Sequence, residues 1–257
     1  MHAMQRRSEI LKMIRENGFK RVSELRDIFQ VSEVTIRSDL RTLEEEGKIE
    51  RNYGGAMVKD EQESPTFSET SWLLSETKSA IAKAAVDLIQ PGDSLFLDGS
   101  STTVLLANLA RHIENVTIIS NSIPVFEQLK EMTTATLIGI PGTLNPRTQT
   151  FVGPYAEKMI NDLRATKTFI SPKGVLLEGL RDITMVEADI RKRMMDSGSE
   201  VIVLADHSKF NNNRTLIRID SFDGVNTIIT DRLPDDSYMG IFEEKNIRVI
   251  IAEANEE

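Results

Sequence analysis

The chain has 257 residues, 28% of them charged and 40% hydrophobic, with a formal net charge of −9 and no cysteine. That length predicts two domains, and the missing cysteine excludes a disulfide scaffold, a Cys-ligated zinc site and thiol catalysis. No run of about 18 apolar residues is there to span a membrane, and the opening MHAMQRRSEI lacks the apolar stretch of a signal peptide, so a soluble cytoplasmic protein is expected.

Taken whole, the acidic balance argues against nucleic acid. Splitting the chain changes that. Residues 1–58 hold eleven Lys/Arg against ten Asp/Glu, a net +1, whereas residues 59–257 hold twenty against thirty, a net −10. The acid belongs to the larger C-terminal part, and a near-neutral N-terminal segment can bind DNA if its basic residues share a face.

Three helical patterns occupy the first fifty residues. The first runs near Gln5–Asn17 with Ile10, Met13 and Ile14 as an apolar stripe, ended by Asn17-Gly18. The second opens at Ser23 as N-cap and places Leu25, Ile28 and Phe29 on one face. The third opens at Ser32, carries Ile36, Leu40 and Leu43 at i, i+4 and i+7, and stops at Gly47. The few residues between the second and third suit a helix-turn-helix. The third helix leaves Glu33, Thr35, Arg37, Ser38, Arg41 and Thr42 off its apolar stripe, and its N-terminal turn is where a recognition helix meets bases. Ser32, Glu33, Thr35, Arg37, Ser38 and Arg41 are therefore the candidate DNA-binding residues. A short alternating run, Gly54-Gly55 and a second short run predict a two-stranded wing, from which Arg51 and Tyr53 could reach phosphate or the minor groove. Spacing alone leaves open a three-helix protein–protein module with a merely solvated polar face.

Residues 59–74 read as a connector: polar, acidic and interrupted by Pro65. Trp72 at its end is read as packing on a domain surface, with ligand stacking as the alternative. A helix follows from Ser75 through Ile81, Ala84, Ala85, Leu88 and Ile89 to Pro91-Gly92.

From Ser94 short apolar runs alternate with helical segments. Strands are predicted at Ser94–Leu97, Val116–Ser120, Thr136–Gly139, Lys167–Ser171, Glu200–Ala205, Val225–Thr230 and Arg248–Ala252; helices at Thr102–Ala110, Pro124–Lys130, Pro154–Leu163 and Met185–Ser197. Continuous apolar strands such as Val201-Ile202-Val203-Leu204 suit burial on both faces, so the fold class is α/β, an N-terminal winged helix-turn-helix followed by a mainly parallel sheet. Such sheets bind ligands beyond the carboxyl ends of their strands.

The loop after the first strand is Asp98-Gly99-Ser100-Ser101-Thr102-Thr103, leading straight into a helix. Glycine permits close backbone approach, hydroxyls donate, and the helix N-terminus favours an anion, which together suit a phosphate. No Gly-Lys-Ser/Thr follows, so this is not an ATP loop. Asp98 would repel phosphate and is placed on a sugar hydroxyl or on loop backbone. Ser120-Asn121-Ser122 follows the second strand, and Asp206-His207-Ser208-Lys209 another, with Lys209 as cation and Asp206 as acceptor. The alternatives are an N-cap cluster without ligand and an ordinary turn with a surface lysine. His2, His112 and His207 have no metal-ligand spacing, and no metal or cofactor is expected.

Arg7…Ile10-Leu11…Val22-Ser23-Glu24-Leu25…Val31-Ser32-Glu33-Val34-Thr35-Ile36-Arg37-Ser38-Asp39-Leu40…Gly54-Gly55-Ala56 resembles the DeoR family of bacterial transcriptional regulators. Asp98–Thr103, Ser120–Ser122, Gly142…Gly153-Pro154, Glu187…Arg191 and Ala205–Phe210 resemble that family's sensor domain, related in fold to ribose-5-phosphate isomerases. The resemblance implies a winged helix-turn-helix over 1–58, a linker over 59–74, and a sensor and oligomerisation domain over 75–257. It implies operator DNA and a phosphorylated sugar or related metabolite as partners, a homodimer or homotetramer, and a repressor of carbohydrate genes in a bacterial cytoplasm. It adds Gly142 and Arg191 to the effector-binding set. Departures from the family pattern are Pro141-Gly142 for Gly-Gly, Arg191 for a common lysine, and Ser120 for a frequent threonine; arginine keeps the charge but is planar and bidentate. A sugar-phosphate isomerase or deaminase with an accessory DNA-binding segment is the alternative.

Overall fold

A computed structural model describes residues 3–17, 19–46, 48–52, 55–58, 66, 67, 70 and 75–253. The chain forms two compact units, Met1–Glu63 and Ser64–Glu257. Thr66, Phe67 and Thr70, inside the expected connector, belong to the second.

In the first unit α1 (Ala3–Asn17), α2 (Val22–Phe29) and α3 (Glu33–Glu45) pack around Ile10, Ile14, Leu25, Ile36, Leu40 and Leu43, all at most 2% exposed. Ser32 caps α3 as the sequence predicts, its Oγ accepting from the Thr35 N–H at 3.2 Å. The start of α2 differs from expectation. Its N-cap is Arg21, whose N–H donates to the Glu24 carboxylate at 3.2 Å, so Ser23 lies inside the first turn. Ile28 is 49% exposed, against the expected apolar face, because an eight-residue helix buries only Val22 and Leu25. The expected two-stranded wing is a three-stranded antiparallel sheet in the order β1-β3-β2, from β1 (Phe19–Arg21), β2 (Ile49–Asn52) and β3 (Gly55–Val58). Three residues are too short a run for alternation to reveal β1.

The second unit opens with α4 (Ser75–Val86) and β4 (Ser94–Leu97), then α5 (Ser101–Ala110), β5 (Thr117–Ser120), α6 (Ile123–Leu129) and β6 (Thr136–Gly139). A short hairpin, β7 (Thr143–Asn145) and β8 (Thr150–Val152), leads into α7 (Pro154–Asn161) and β9 (Ala165–Ile170). There follow β10 (Gly174–Leu176), β11 (Gly179–Asp182), α8 (Met185–Asp196), β12 (Gly198–Leu204), β13 (Ile217–Asp220), β14 (Thr227–Thr230), α9 (Asp236–Glu244) and β15 (Arg248–Ile251).

Seven of these strands make the expected parallel sheet, ordered β15-β14-β12-β9-β4-β5-β6. Alternate residues bury on opposite faces. Leu95, Leu97, Ile202 and Leu204 pack with α4, α5 and α6; Phe96 packs with α7 and α8, and Val201 and Val203 with α8 and α9. From β4 the chain proceeds through β5 to the edge at β6, then returns to β9 on the other side of β4. The carboxyl ends of β4 and β9 therefore flank the topological switch point, where such sheets leave a crevice. The β7–β8 hairpin, the antiparallel β10-β11-β13 sheet and α9 are absent from the sequence expectation.

Candidate functional site

On α3 of the first unit, Ser32, Arg37, Ser38 and Arg41 are exposed, and Glu33 and Thr35 half-buried. The Ser32 and Thr35 hydroxyls are 2.8 Å apart and serve the cap. Glu33 lies 3.6 Å from Arg37 and 3.4 Å from Arg26 on α2. Arg26 and Val34, which is 76% exposed, join this polar row and were not among the sequence candidates; an exposed Val in a recognition helix can meet a thymine methyl. Arg51 sits in β2 opposite Ala56, and Tyr53 lies outside the described residues.

In the second unit the structural hub is Asp98, 1% exposed at the carboxyl end of β4. Its Oδ1 accepts from the Ser100 N–H at 3.1 Å and the Thr103 hydroxyl at 2.8 Å. Its Oδ2 accepts from the Ser171 N–H at 3.0 Å and Arg191 Nε at 2.7 Å. Asp98 thus ties the loop after β4 to the loop after β9, and of its two expected roles the structure displays the one on loop backbone. Ser100 caps α5, accepting from the Thr103 N–H at 3.2 Å.

Between these loops lies a cavity of about 70 Å³. Ser100, Ser101 and Thr102 supply one wall, with the positive end of the α5 dipole behind them. Ser171 and Lys173 enter from the loop after β9; Asp206, Ser208 and Lys209 from the loop after β12; Lys78 from α4; and Thr70 closes a side. Three lysines thus meet one carboxylate. Burial, with Lys209 and Lys173 nearby, pushes the Lys78 ammonium down to about 7, against a partial pull upward from Asp206. Burial and Lys209 push Lys173 down to about 8. Burial works to raise the Asp206 pKa, but Lys209, the Ser208 bonds and Lys78 outweigh it and hold that carboxyl below its usual range. Burial that weakens the hold of Lys78 and Lys173 on their protons, beside a third lysine, makes a site that an anion would relieve.

A smaller hollow of about 20 Å³ adjoins, sharing Thr70 and Lys173 and lined also by Phe67, Gly99, Thr148, Asp182, Glu187 and Arg191. Glu187 accepts from the hydroxyls of Thr148 at 2.9 Å and Thr150 at 2.7 Å. Gly99 is required here, since a Cβ would stand 2.1 Å from Thr150 Cγ2. Arg191 reaches this hollow with its charge already engaged, at 2.7 Å from both Asp98 and Asp182 and 3.5 Å from Glu187. Burial penalises that charge, but the three carboxylates outweigh it and raise the pKa.

The structure brings Ser100, Ser101, Thr102, Asp206 and Lys209 together and sets Gly99 and Arg191 beside them. It does not bring the rest. Thr103 is fully buried, its hydroxyl bonded to Asp98. Ser120 donates to the Leu97 carbonyl at 2.7 Å, Asn121 to the Phe151 carbonyl at 2.8 Å, and Ser122 caps α6. Gly142 packs against β8, where a Cβ would meet the Val152 carbonyl at 2.6 Å. These four residues line neither cavity because β5 and β6 lie away from the switch point. Lys78, Ser171, Lys173 and Ser208 were not predicted. A signal for Lys78 was present: it shares the buried stripe of Ile81, Ala82 and Ala85, where a lysine is costly without a task.

Two family profiles match the chain, a DeoR-like helix-turn-helix domain over residues 6–62 and a DeoR C-terminal sensor domain over 74–232. An uncharacterized HTH-type transcriptional regulator YulB of Bacillus subtilis is 35% identical over 97% of this chain and 96% of its own length. A putative aga operon transcriptional repressor of Escherichia coli O157:H7 is 33% identical over 96% and 93%. Among solved structures, ribose 5-phosphate isomerase A from Methanocaldococcus jannaschii is 18% identical with a TM-score of 0.37 over 52% of this chain and 53% of that one, a likeness that carries no argument about activity.

Proposed function

The chain belongs to the DeoR family of helix-turn-helix transcriptional regulators, and from that premise we propose that its second unit senses a phosphorylated sugar or related phosphometabolite that controls operator binding. It is a regulator and not an enzyme: its full-length relatives are named as regulators and repressors. The observation that carries the effector reading is the convergence of Lys78, Lys173 and Lys209 with the α5 N-terminus on one cavity at the switch point. Repression of carbohydrate genes is supported by the relative named for the aga operon. A homodimer or homotetramer would set two recognition helices on half-sites about one helical turn apart.

The test is a thermal-shift screen of phosphorylated sugars with the matching unphosphorylated sugars, paired with operator binding in the presence of each hit. A ligand selective for the native state raises apparent stability. Stabilisation by no phosphorylated compound would remove the reading.

Substitutions separate the two units. Arg37→Ala is expected to weaken operator binding about tenfold or more while leaving effector-induced stabilisation intact. Lys209→Ala should bind the operator normally and no longer release it when effector is added. Fluorescence anisotropy on labelled operator measures both, and loss of both activities in either variant would instead indicate damaged folding.

Affinity for a phosphate dianion should also depend on pH. Bound anion raises the pKa of Lys78 and Lys173 above their free-state values of about 7 and about 8. Above pH 7 binding must therefore take up protons, and affinity should fall about tenfold or more between pH 7 and 9. The unliganded protein should gain stability over the same range, because the unfolded chain's lysines bind more protons there than the folded ones do. Calorimetry in buffers of differing ionisation heat measures the uptake; a flat profile would mean these lysines do not meet the ligand.

A further inference from the structure

Between the two family profiles lies a segment that neither covers, and its described residues form part of the cavity wall. Thr70 lines both hollows and Phe67 the smaller one. The Phe67 N–H donates to the Arg147 carbonyl at 2.7 Å, and its half-buried ring packs against the core that holds α4 and α5. The Thr70 hydroxyl donates back to the Phe67 carbonyl at 2.9 Å. The Lys78 ammonium donates to the Thr70 carbonyl, so one buried lysine both faces the anion cavity and holds this segment.

We propose that Phe67 and Thr70, with Thr66 tied to them by the Thr70 N–H, form a strap along the wall of the effector site, and that effector binding is passed toward the DNA-binding unit by clamping it. An ammonium has three donors, and one of those of Lys78 is given to the strap. A bound anion keeps Lys78 charged, which strengthens its bond to the Thr70 carbonyl. A ligand that also touches Thr70 binds the seated arrangement better than a lifted one and shifts the population by that difference. The strap continues directly into the chain that leads to the helix-turn-helix, so the signal enters the connector at its first contact with ligand. By linkage, operator DNA then alters effector affinity by the same factor. The proposal rests on the cavity being an effector site.

The experiment uses the full chain with inorganic phosphate as probe. Calorimetry measures its binding, hydrogen exchange measures protection of the peptide 66–72, and emission is read from Trp72, the only tryptophan, which follows Thr70 by two residues in sequence and lies outside the described residues. Exchange of that peptide should slow roughly tenfold at about ten times the phosphate Kd, with Trp72 emission following the same concentration dependence. Phosphate binding with unchanged or faster exchange would overturn the strap and leave the effector reading standing. Absence of phosphate binding would overturn both.

Discussion

Lys78→Met should yield a protein that is more stable than the parent and nearly unresponsive to effector. Lys78 is 4% exposed, and its pKa falls from 10.5 to about 7. Keeping so perturbed a group costs the folded state on the order of 2–4 kcal/mol near neutral pH. Methionine fills a comparable unbranched volume without charge. The hydrogen bond to the Thr70 carbonyl is lost, which returns about 1 kcal/mol or somewhat more. The net gain is about 1–3 kcal/mol, or roughly 2–4 °C of melting temperature for each kcal/mol in a domain of this size. Loss of one charge-assisted bond to phosphate costs about 1.5–3 kcal/mol of affinity, roughly ten- to a hundredfold. Melting and ligand titration on the same sample check both. A destabilised variant that binds phosphorylated ligands undiminished would make Lys78 a structural lysine and remove it from the site. The opposite signs are what a functional residue leaves behind, since stability is commonly given up where binding needs a strained group.

The fold was readable where a local rule and a long pattern agreed. Ser32 capping α3 and the apolar run Val201–Leu204 in the middle of the sheet each obey one strong constraint, a helix terminus in need of a partner and a strand buried on both faces. The antiparallel additions were not readable, because β7, β8 and β10 have three residues each and show no period. The same limit explains Ser23: its side chain suits a cap, but the Arg21 backbone and Glu24 close the turn two residues earlier.

The site was half legible for a different reason. Polar loops at strand ends point to Ser100–Thr102 and Lys209, but strand order is a property of the folded sheet. Without it, the loop after β5 looks as promising as the loop after β9, though only the latter borders the switch point. Ser120–Ser122 therefore resemble site residues in the sequence, while Ser171 and Lys173 do not stand out. Arg191 carries a charge suited to phosphate, yet three carboxylates already hold it. Its partners Asp98 and Asp182 come from the end of β4 and from β11, and no local pattern announces that pairing.

Asp39→Ala is expected to abolish operator binding by unfolding the reader without touching its DNA-facing row. Asp39 lies on α3 and is 5% exposed, and Arg6 on α1 is 8% exposed. Arg6 Nε donates to Asp39 Oδ2 at 2.6 Å, a bond between residues 33 apart in sequence. The pair's own net worth is small, because two desolvated ions largely offset their attraction. Removing one partner is another matter: it strands a guanidinium in the helix interface, at a cost of about 3–5 kcal/mol. The small core of the first unit, ten buried apolar residues among those described, has little margin against such a loss. The full chain should therefore lose an early melting transition and most operator affinity, while effector-induced stabilisation of the second unit persists. The double variant Arg6→Leu/Asp39→Leu distinguishes this from a direct role in recognition. If the damage is a stranded charge, replacing both groups by apolar ones restores folding and much of the affinity, because Arg37, Ser38 and Arg41 are unchanged. If the double variant folds, as judged by melting, and still fails to bind, the pair contributes to DNA contact and the stranded-charge explanation falls.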